Sequence, residues 1–307
     1  MTAGRPRADV TGAGTGRAAA AGPVISVPPG FDLGLVASDI DGTLLLDWQP
    51  ISHTTIDAIH RCRTSDIPFV LVTGRPIRWL APIAEQIPDL GLVVCLNGAV
   101  IYDIATSSAV KAHTIAHSDI EEIVSAISSS QPEARFAFET LSGLLIDPGF
   151  PTRLPQDADI VEDLSQLRER DVVKILVSIG TDDSQALHDL LGPVLTHSCH
   201  ATFSDPVNGL VELAAAGITK AKTLERLCEH LGVDRRRVLA FGDMPNDIEM
   251  LTWAGHGVAV GNALDAVKES ADAVAEAVEA EGVARYLGAV LDSLEIGTES
   301  GNADSSH

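Results

Sequence analysis

In the stretch LVASDIDGTLLL, residues 35–46, an apolar run ends in two aspartates, Asp39 and Asp41, followed at once by Gly42 and Thr43. If Leu35, Val36 and Ala37 lie in a strand, residues two apart point the same way. Both carboxylates then face one spot at the strand's C-terminal end, where open α/β sheets bind their ligands. Two clustered anions repel unless something offsets them, and the usual agent is a hard cation such as Mg²⁺. Asp-Gly-Thr also suits an ordinary tight turn, so the pair alone does not decide its role.

Three further apolar runs end in polar residues of a matched kind. Thr73 follows FVLV at 69–72, and Lys220 opens a helix-like stretch after LVELAAAGIT at 210–219. Gly242-Asp243-Met244-Pro245-Asn246-Asp247 follows VLAF at 238–241. Each has an ordinary reading: Thr73-Gly74 as a cap or turn, Lys220 as a solvated lysine, Asp243 and Asp247 as a turn and a first-turn acid. Those readings do not explain why acid, hydroxyl, lysine and acid each follow an apolar strand in one order. Phosphoryl transfer does, because it needs a nucleophile, a cation against the phosphate oxygens and donors around them. Asp39 and Asp243 would supply carboxylates to Mg²⁺, while Thr73 offers a hydroxyl and Lys220 an ammonium. Asp39 can also attack phosphorus to form an aspartyl-phosphate. Asp41 would then protonate the leaving alkoxide and later activate water.

The elements that must position these residues alternate. A strand ending at Asp39, a helix over 54–64, a strand over 68–72, a helix over 77–86 interrupted near Pro82 and a strand over 92–96 form a βαβαβ order. Such an order predicts a parallel sheet with right-handed crossovers. The middle third reads as strands at 100–102, 109–115, 135–140, 144–146 and 172–179, with helices at 118–129 and 183–191. Strands paired across short turns predict an antiparallel α+β unit. Alternation returns with strands at 210–213, 238–241 and 257–260 and helices at 220–231 and 246–253. The fold class expected is therefore α/β, a Rossmann-like doubly wound parallel sheet core with an inserted α+β domain. The core is placed at 31–103 and 208–290 and the insert at 104–207, between disordered tails at 1–30 and 291–307. The chain is expected to cross between core and insert near 103–106 and 205–209, where Asp205-Pro206 and Asn208-Gly209 suit a hinge.

Composition narrows the partners. The 307 residues are 45% hydrophobic, ample for a buried core, and contain no apolar run long enough to span a bilayer. With 21 Lys and Arg against 43 Asp and Glu, the net charge of −22 argues against a nucleic-acid partner. Any phosphate site must be locally positive, through a metal and a few placed cations. Cys62, Cys95, Cys199 and Cys228 are scattered without a CxxC pair, which fits reduced thiols and a cytoplasmic location. The HxCH run at His197, Cys199 and His200 lacks further ligands for a closed metal site. Gly12 to Gly16 has the wrong spacing for a dinucleotide loop. In the insert, Arg135, Arg153 and Lys174 are candidate cations, each read as solvated surface.

Taken in order, DIDGTL at 39–44, VTGRP at 72–76, LNGAVIYD at 96–103, GITKAKTL at 217–224 and GDMPNDIEML at 242–251 resemble the haloacid dehalogenase superfamily of phosphohydrolases. The resemblance covers about residues 31–290 and is nearest the Cof-type branch, whose class IIB cap is inserted between the second and third motifs. It implies a phosphatase with Mg²⁺ as cofactor, acting on a small phosphorylated metabolite such as a sugar phosphate. Asp39 would be nucleophile and metal ligand, and Asp41 the acid/base with its backbone carbonyl on the metal. Thr73, with Gly74 beside it, and Lys220 would hold the phosphate. Asp243 would be the second metal carboxylate, Asp247 an acid near the metal, Asn246 a residue near the phosphate and Asn97 one near the substrate entrance. A phosphomutase of the same superfamily, and a non-catalytic ligand-binding module on the same fold, are the alternatives. The second is disfavoured because Asp39, Asp41 and Lys220 are all present.

Overall fold

The structure is a computed structural model that describes residues 27–28, 30–46, 49–87, 90–151, 158–195 and 197–303, with side chains described to Leu294. Most of the tail expected at 1–30 and the cation Arg153 lie outside the described residues.

The short apolar runs become strands β1 (Leu35–Ser38), β2 (Phe69–Val72) and β3 (Leu92–Cys95). All four residues of β1 and of β2 are buried, as strands covered on both faces must be. Helices α1 (His53–Thr64) and α2 (Ala81–Gln86) connect them, α1 starting where the Ser52 hydroxyl accepts from Thr55 N at 3.1 Å. A 3₁₀ turn, Ile77–Trp79, precedes α2, and Pro82 sits in the first turn of α2, where its missing N–H costs nothing. Strands β4 (Val100–Asp103) and β5 (Ser108–Ala112) then extend the same sheet as an antiparallel hairpin.

The second layer begins with α3 (His117–Ser130) and continues through β6 (Arg135–Thr140), β7 (Gly143–Ile146), β8 (Asp159–Ile160) and β9 (Val172–Ser178). It closes with α4 (Ser184–Leu191), β10 (Cys199–Thr202) and β11 (Val211–Ala215). Its six strands run β10-β11-β9-β6-β7-β8. Ile120, Ile123 and Ile127 of α3 and Leu187 and Leu191 of α4 pack on Phe136, Phe138, Ile175, Val177 and Leu213, a core separate from that of the larger sheet.

Parallel order resumes after α5 (Lys220–Leu231), with β12 (Val238–Gly242), α6 (Ile248–Trp253), β13 (His256–Ala259), α7 (Asp265–Ser270), β14 (Ala273–Val274) and α8 (Gly282–Ala303). The first sheet is thus eight strands, β14-β13-β12-β1-β2-β3-β4-β5, with β1 between β12 and β2 at its centre. The α/β class with an inserted α+β layer is what the sequence predicts. Among the described residues no helix is long and apolar enough to cross a membrane.

Sheet membership moves the expected boundaries. The strand expected to open the insert at 109–115 is β5, the edge of the larger sheet, and the strand expected to reopen the core at 210–213 is β11, in the smaller one. Residues 103–106 and 205–209 are hairpin turns inside one sheet each, between β4 and β5 and between β10 and β11. Turn-forming residues mark a reversal but not whether the chain changes layer. The crossings lie instead at 113–116 and 216–219. They meet the core side by side: His113 N donates to Ala99 O at 2.8 Å, and a Cβ on Gly98 (φ +103) would lie 2.3 Å from Thr219 O. The tail expected from 291 is also corrected, because α8 continues through it to Ala303. Val283, Tyr286, Leu287, Val290 and Leu291 form the buried helical stripe that seats α8, and the helix runs on past that stripe through residues with no apolar period.

Because the two apolar cores are separate, truncating one should loosen its own layer. Ile127→Ala is expected to cost about 2–5 kcal/mol. Hydrogen exchange should then quicken across α3, α4 and β9 while β1 and β12 keep their protection.

Candidate active site

At the end of β1 the ladder runs one residue further, with Asp39 N donating to Phe241 O at 3.0 Å, so Asp39 is fixed against β12. The chain turns at once through Gly42 (φ +78), where a Cβ would lie 2.3 Å from Asp243 Oδ2. Only glycine lets this turn approach the end of β12 so closely. Thr43 completes the turn, its hydroxyl donating to Asp243 Oδ1 at 2.7 Å.

Lys220 is the first residue of α5, whose N-terminus is capped by the Thr219 hydroxyl accepting from Lys222 N. Its ammonium is 1% exposed and donates to Asp39 Oδ1 and Asp247 Oδ1, each at 2.7 Å. Asp247 is fully buried, and its Oδ2 accepts from the backbone N–H groups of Asp243 (3.1 Å) and Met244 (3.0 Å). Asp247 thus braces both the lysine and the turn that presents Asp243. The carboxylates of Asp39, Asp243 and Asp247 each place an oxygen within 4.8 Å of the others.

Crowding shows in the protonation equilibria. Burial raises the Asp39 pKa well above the ordinary carboxylate value; Lys220 opposes this, and the Asp247, Asp243 and Asp41 charges add to it. Burial, with the Asp247 charge, likewise pushes Asp243 from 3.8 to about 7 despite the Thr43 hydrogen bond. Burial alone would lower the Lys220 pKa, but Asp247 and Asp39 more than offset it and hold the ammonium above its usual range. A cluster of this kind asks for more positive charge than one lysine gives.

Thr73 lies at the end of β2, 1% exposed, and its Oγ1 accepts from Arg75 N at 3.1 Å, leaving the hydroxyl proton to donate elsewhere. Gly74 follows it and lines the cleft. Asn97, at φ +56 after β3, donates from Nδ2 to Glu212 Oε2 at 2.5 Å and accepts from Asn246 Nδ2 at 3.1 Å. Asn246 Oδ1 is buried with no protein donor among the described residues. Asp41 points into the cleft and is held by Arg75, which donates from Nε (2.7 Å) and Nη2 (2.5 Å) to its two oxygens. Sequence reasoning missed Arg75 as a site residue, although it lies within the VTGRP motif.

Between the layers lies a cleft of about 530 Å³. Asp39, Asp41, Arg75 and Asp243 form its floor, and Glu139, Lys174 and Glu212 of the smaller sheet form its roof. Lys174, read as solvated surface, is 3% exposed and donates to Glu212 Oε2 at 2.5 Å and Gly74 O at 3.0 Å. Its burial depends on pairing across strands far apart in sequence, which a local reading cannot see. Arg135 instead stays at its own strand's edge, donating to Ala134 O at 2.7 Å. A second, smaller cleft of about 280 Å³ opens beside Lys220 and Asn246, walled by His188, His200 and Phe203. His200 lines it, with its imidazole pKa lowered by burial. Cys199 packs instead against the cap's core, and burial raises its thiol to about 11, which disfavours the thiolate a metal would need. Burial likewise raises the Cys62, Cys95 and Cys228 thiols to about 12.

The sequence matches the haloacid dehalogenase-like hydrolase family over residues 36–287. It is 32% identical over 263 residues to the 5-amino-6-(5-phospho-D-ribitylamino)uracil phosphatase YitU of Bacillus subtilis, covering 82% of this chain and 96% of that one. It is 26% identical over 263 residues to the pyridoxal phosphate phosphatase YbhA of Escherichia coli, covering 82% and 97%. Among solved structures, the phosphatase BT1666 from Bacteroides thetaiotaomicron superposes with a TM-score of 0.73 at 26% identity, over 86% of this chain and 97% of that one. The subclass IIB sugar phosphatase BT4131 shares the fold, with a TM-score of 0.70 at 20% identity over 84% and 98%. With its strand-end acids, its buried lysine and its inserted α+β layer, the chain belongs to the haloacid dehalogenase-like hydrolase family, in the capped phosphatase branch.

Proposed function

We propose that this phosphatase hydrolyses small phosphate monoesters with the help of Mg²⁺, through an aspartyl-phosphate on Asp39. The observation that carries the reading is the buried Lys220–Asp39 pair beside Asp243, at the ends of adjacent parallel strands. Lys220 occupies Asp39 Oδ1, which leaves Oδ2 to attack phosphorus. Asp41, once turned from Arg75 and protonated from solvent, gives that proton to the leaving oxygen as the Asp39–phosphorus bond forms and the ester P–O bond breaks. Asp41 then takes a proton from water, whose oxygen attacks phosphorus and frees Asp39 and inorganic phosphate. Thr73 and Lys220 hold phosphate oxygens, and the cap roof excludes bulk water.

The residues present fit a hard divalent ion. Their donors are carboxylate oxygens, and Asp39 and Asp243 sit together with both pKa values raised by burial first and by neighbouring carboxylates, Asp247 foremost, second. Asp39 and Asp243 would hold the ion, with Asp41's backbone carbonyl, and Asp247 lies within reach while bracing Lys220. Bound there, Mg²⁺ would offset negative charge on the transferring phosphoryl group. The relatives' substrates supply the first panel: 5-amino-6-(5-phospho-D-ribitylamino)uracil and pyridoxal phosphate, alongside sugar phosphates.

Phosphate release over that panel should vanish with EDTA and return with Mg²⁺; full activity in EDTA would overturn the metal role. Asp39→Asn should give no detectable turnover. Asp41→Asn should keep Mg²⁺ affinity and lose about 10²–10⁴-fold in rate, the usual range for a general acid/base.

The raised carboxylates also fix the sign of a stability effect. Asp243 binds its proton more tightly folded than unfolded, so its contribution is favourable below the ordinary 3.8 and is lost as pH rises through about 7. The whole span corresponds to at most about 4 kcal/mol. In EDTA at pH 8, Asp243→Asn should therefore melt higher than the parent protein, and the difference should close towards pH 5. A lower melting temperature for the variant at pH 8 would mean that the carboxylate is not under electrostatic strain.

A further inference from the structure

On the cap sheet β6, β9 and β11 are neighbours, with Glu139 opposite Lys174 and Leu176 opposite Glu212. Alternation sends these four side chains to the cleft, while Phe138, Ile175, Val177 and Leu213 turn to the cap's own core. The roof over Asp41, on the side where a leaving group must lie, therefore carries one cation between two carboxylates.

Among the described residues, each cation at this side of the cleft already holds a carboxylate. Arg75 grips Asp41 through two hydrogen bonds, Arg78 grips the buried Glu139 through two, and Lys174 is 2.5 Å from Glu212. Glu212 is itself fully engaged, accepting from Lys174 and Asn97 at Oε2 and from Ser204 at Oε1. An anionic leaving group could use Lys174 only by drawing it away from Glu212, which strands a largely buried carboxylate at considerable cost. A hydroxyl both donates and accepts, so it can join the Lys174–Glu212 network and leave no charge unpaired.

We propose that Glu212 determines leaving-group charge: by neutralising Lys174 it makes the enzyme accept neutral hydroxylated leaving groups and reject carboxylated ones of equal size. The proposal rests on the phosphatase reading above. The matched pair that tests it is sn-glycerol 3-phosphate against 3-phosphoglycerate, which differ in a hydroxymethyl against a carboxylate. Phosphate release is measured with Mg²⁺ and p-nitrophenyl phosphate as a control.

The parent enzyme should favour glycerol 3-phosphate by about tenfold or more in kcat/KM. Glu212→Gln should shrink that ratio by about tenfold, through a lower KM for 3-phosphoglycerate as Lys174 is released. Adding Lys174→Met to Glu212→Gln should restore the preference, which a merely structural role for Glu212 would not do. Equal kcat/KM for the two substrates in the parent enzyme overturns the proposal, and so does an unchanged ratio in a folded Glu212→Gln protein. If p-nitrophenyl phosphate also resists hydrolysis, the phosphatase reading falls and takes this proposal with it. The parent ratio needs no variant to fold.

Discussion

The Lys220 ammonium, buried between Asp39 and Asp247, is the contact around which the larger sheet is organised. It joins residues 181 and 27 positions apart, tying the end of β1 and the turn after β12 to the first residue of α5. A buried pair of this sort gives little net stability, yet removing one member is costly because the other charge is left uncompensated. Here the lysine faces more acids than it can neutralise, and on the proposed function that surplus is what would receive a cation and a phosphoryl group. Fold and chemistry therefore share one constraint: the three elements must meet, and they meet with charge left over.

The strand ends were legible in the sequence because buried parallel strands read as unbroken apolar runs, so the first polar residue after each stands out. Lys220 was legible as a helix start, which it is. What stayed hidden depends on pairing across distance. Lys174 and Glu212 are 38 positions apart and meet only when β9 and β11 become neighbours, so neither carries a local signal of burial. Arg75 lies in plain sight within VTGRP, but its grip on Asp41 depends on the order of β1 and β2. The end of the chain misled because the buried apolar stripe that seats α8 stops at Leu291 while the helix continues through largely polar residues that carry no period of their own.

Contacts between the two layers are made largely by groups that also bond well to water. Arg78 meets Glu139, Lys174 reaches Gly74 O, Asn97 reaches Glu212 and Asn246 reaches Ser204. Each apolar core keeps most of its packing to itself. Polar interfaces of this kind permit relative domain motion, and the same side chains can trade their partners for those of a substrate. Any closing of the layers and the recognition of a substrate would then draw on the same few residues.

The adjacency of the two crossings at Ala99 and Thr219 has a mechanical consequence. A body tethered by two strands at one spot swings about that spot more easily than it slides, so the far rim of the insert travels furthest and the near rim hardly moves. Asn97 and Gly98 sit at the fulcrum, one residue from each other, and Lys220 follows Thr219 directly. On the proposed function the phosphate end of the cleft would lie beside that pivot and the leaving-group end on the arm. A bulky side chain at position 98 would act as a wedge at the axle: it would change the angle of the whole arm without touching anything the substrate touches.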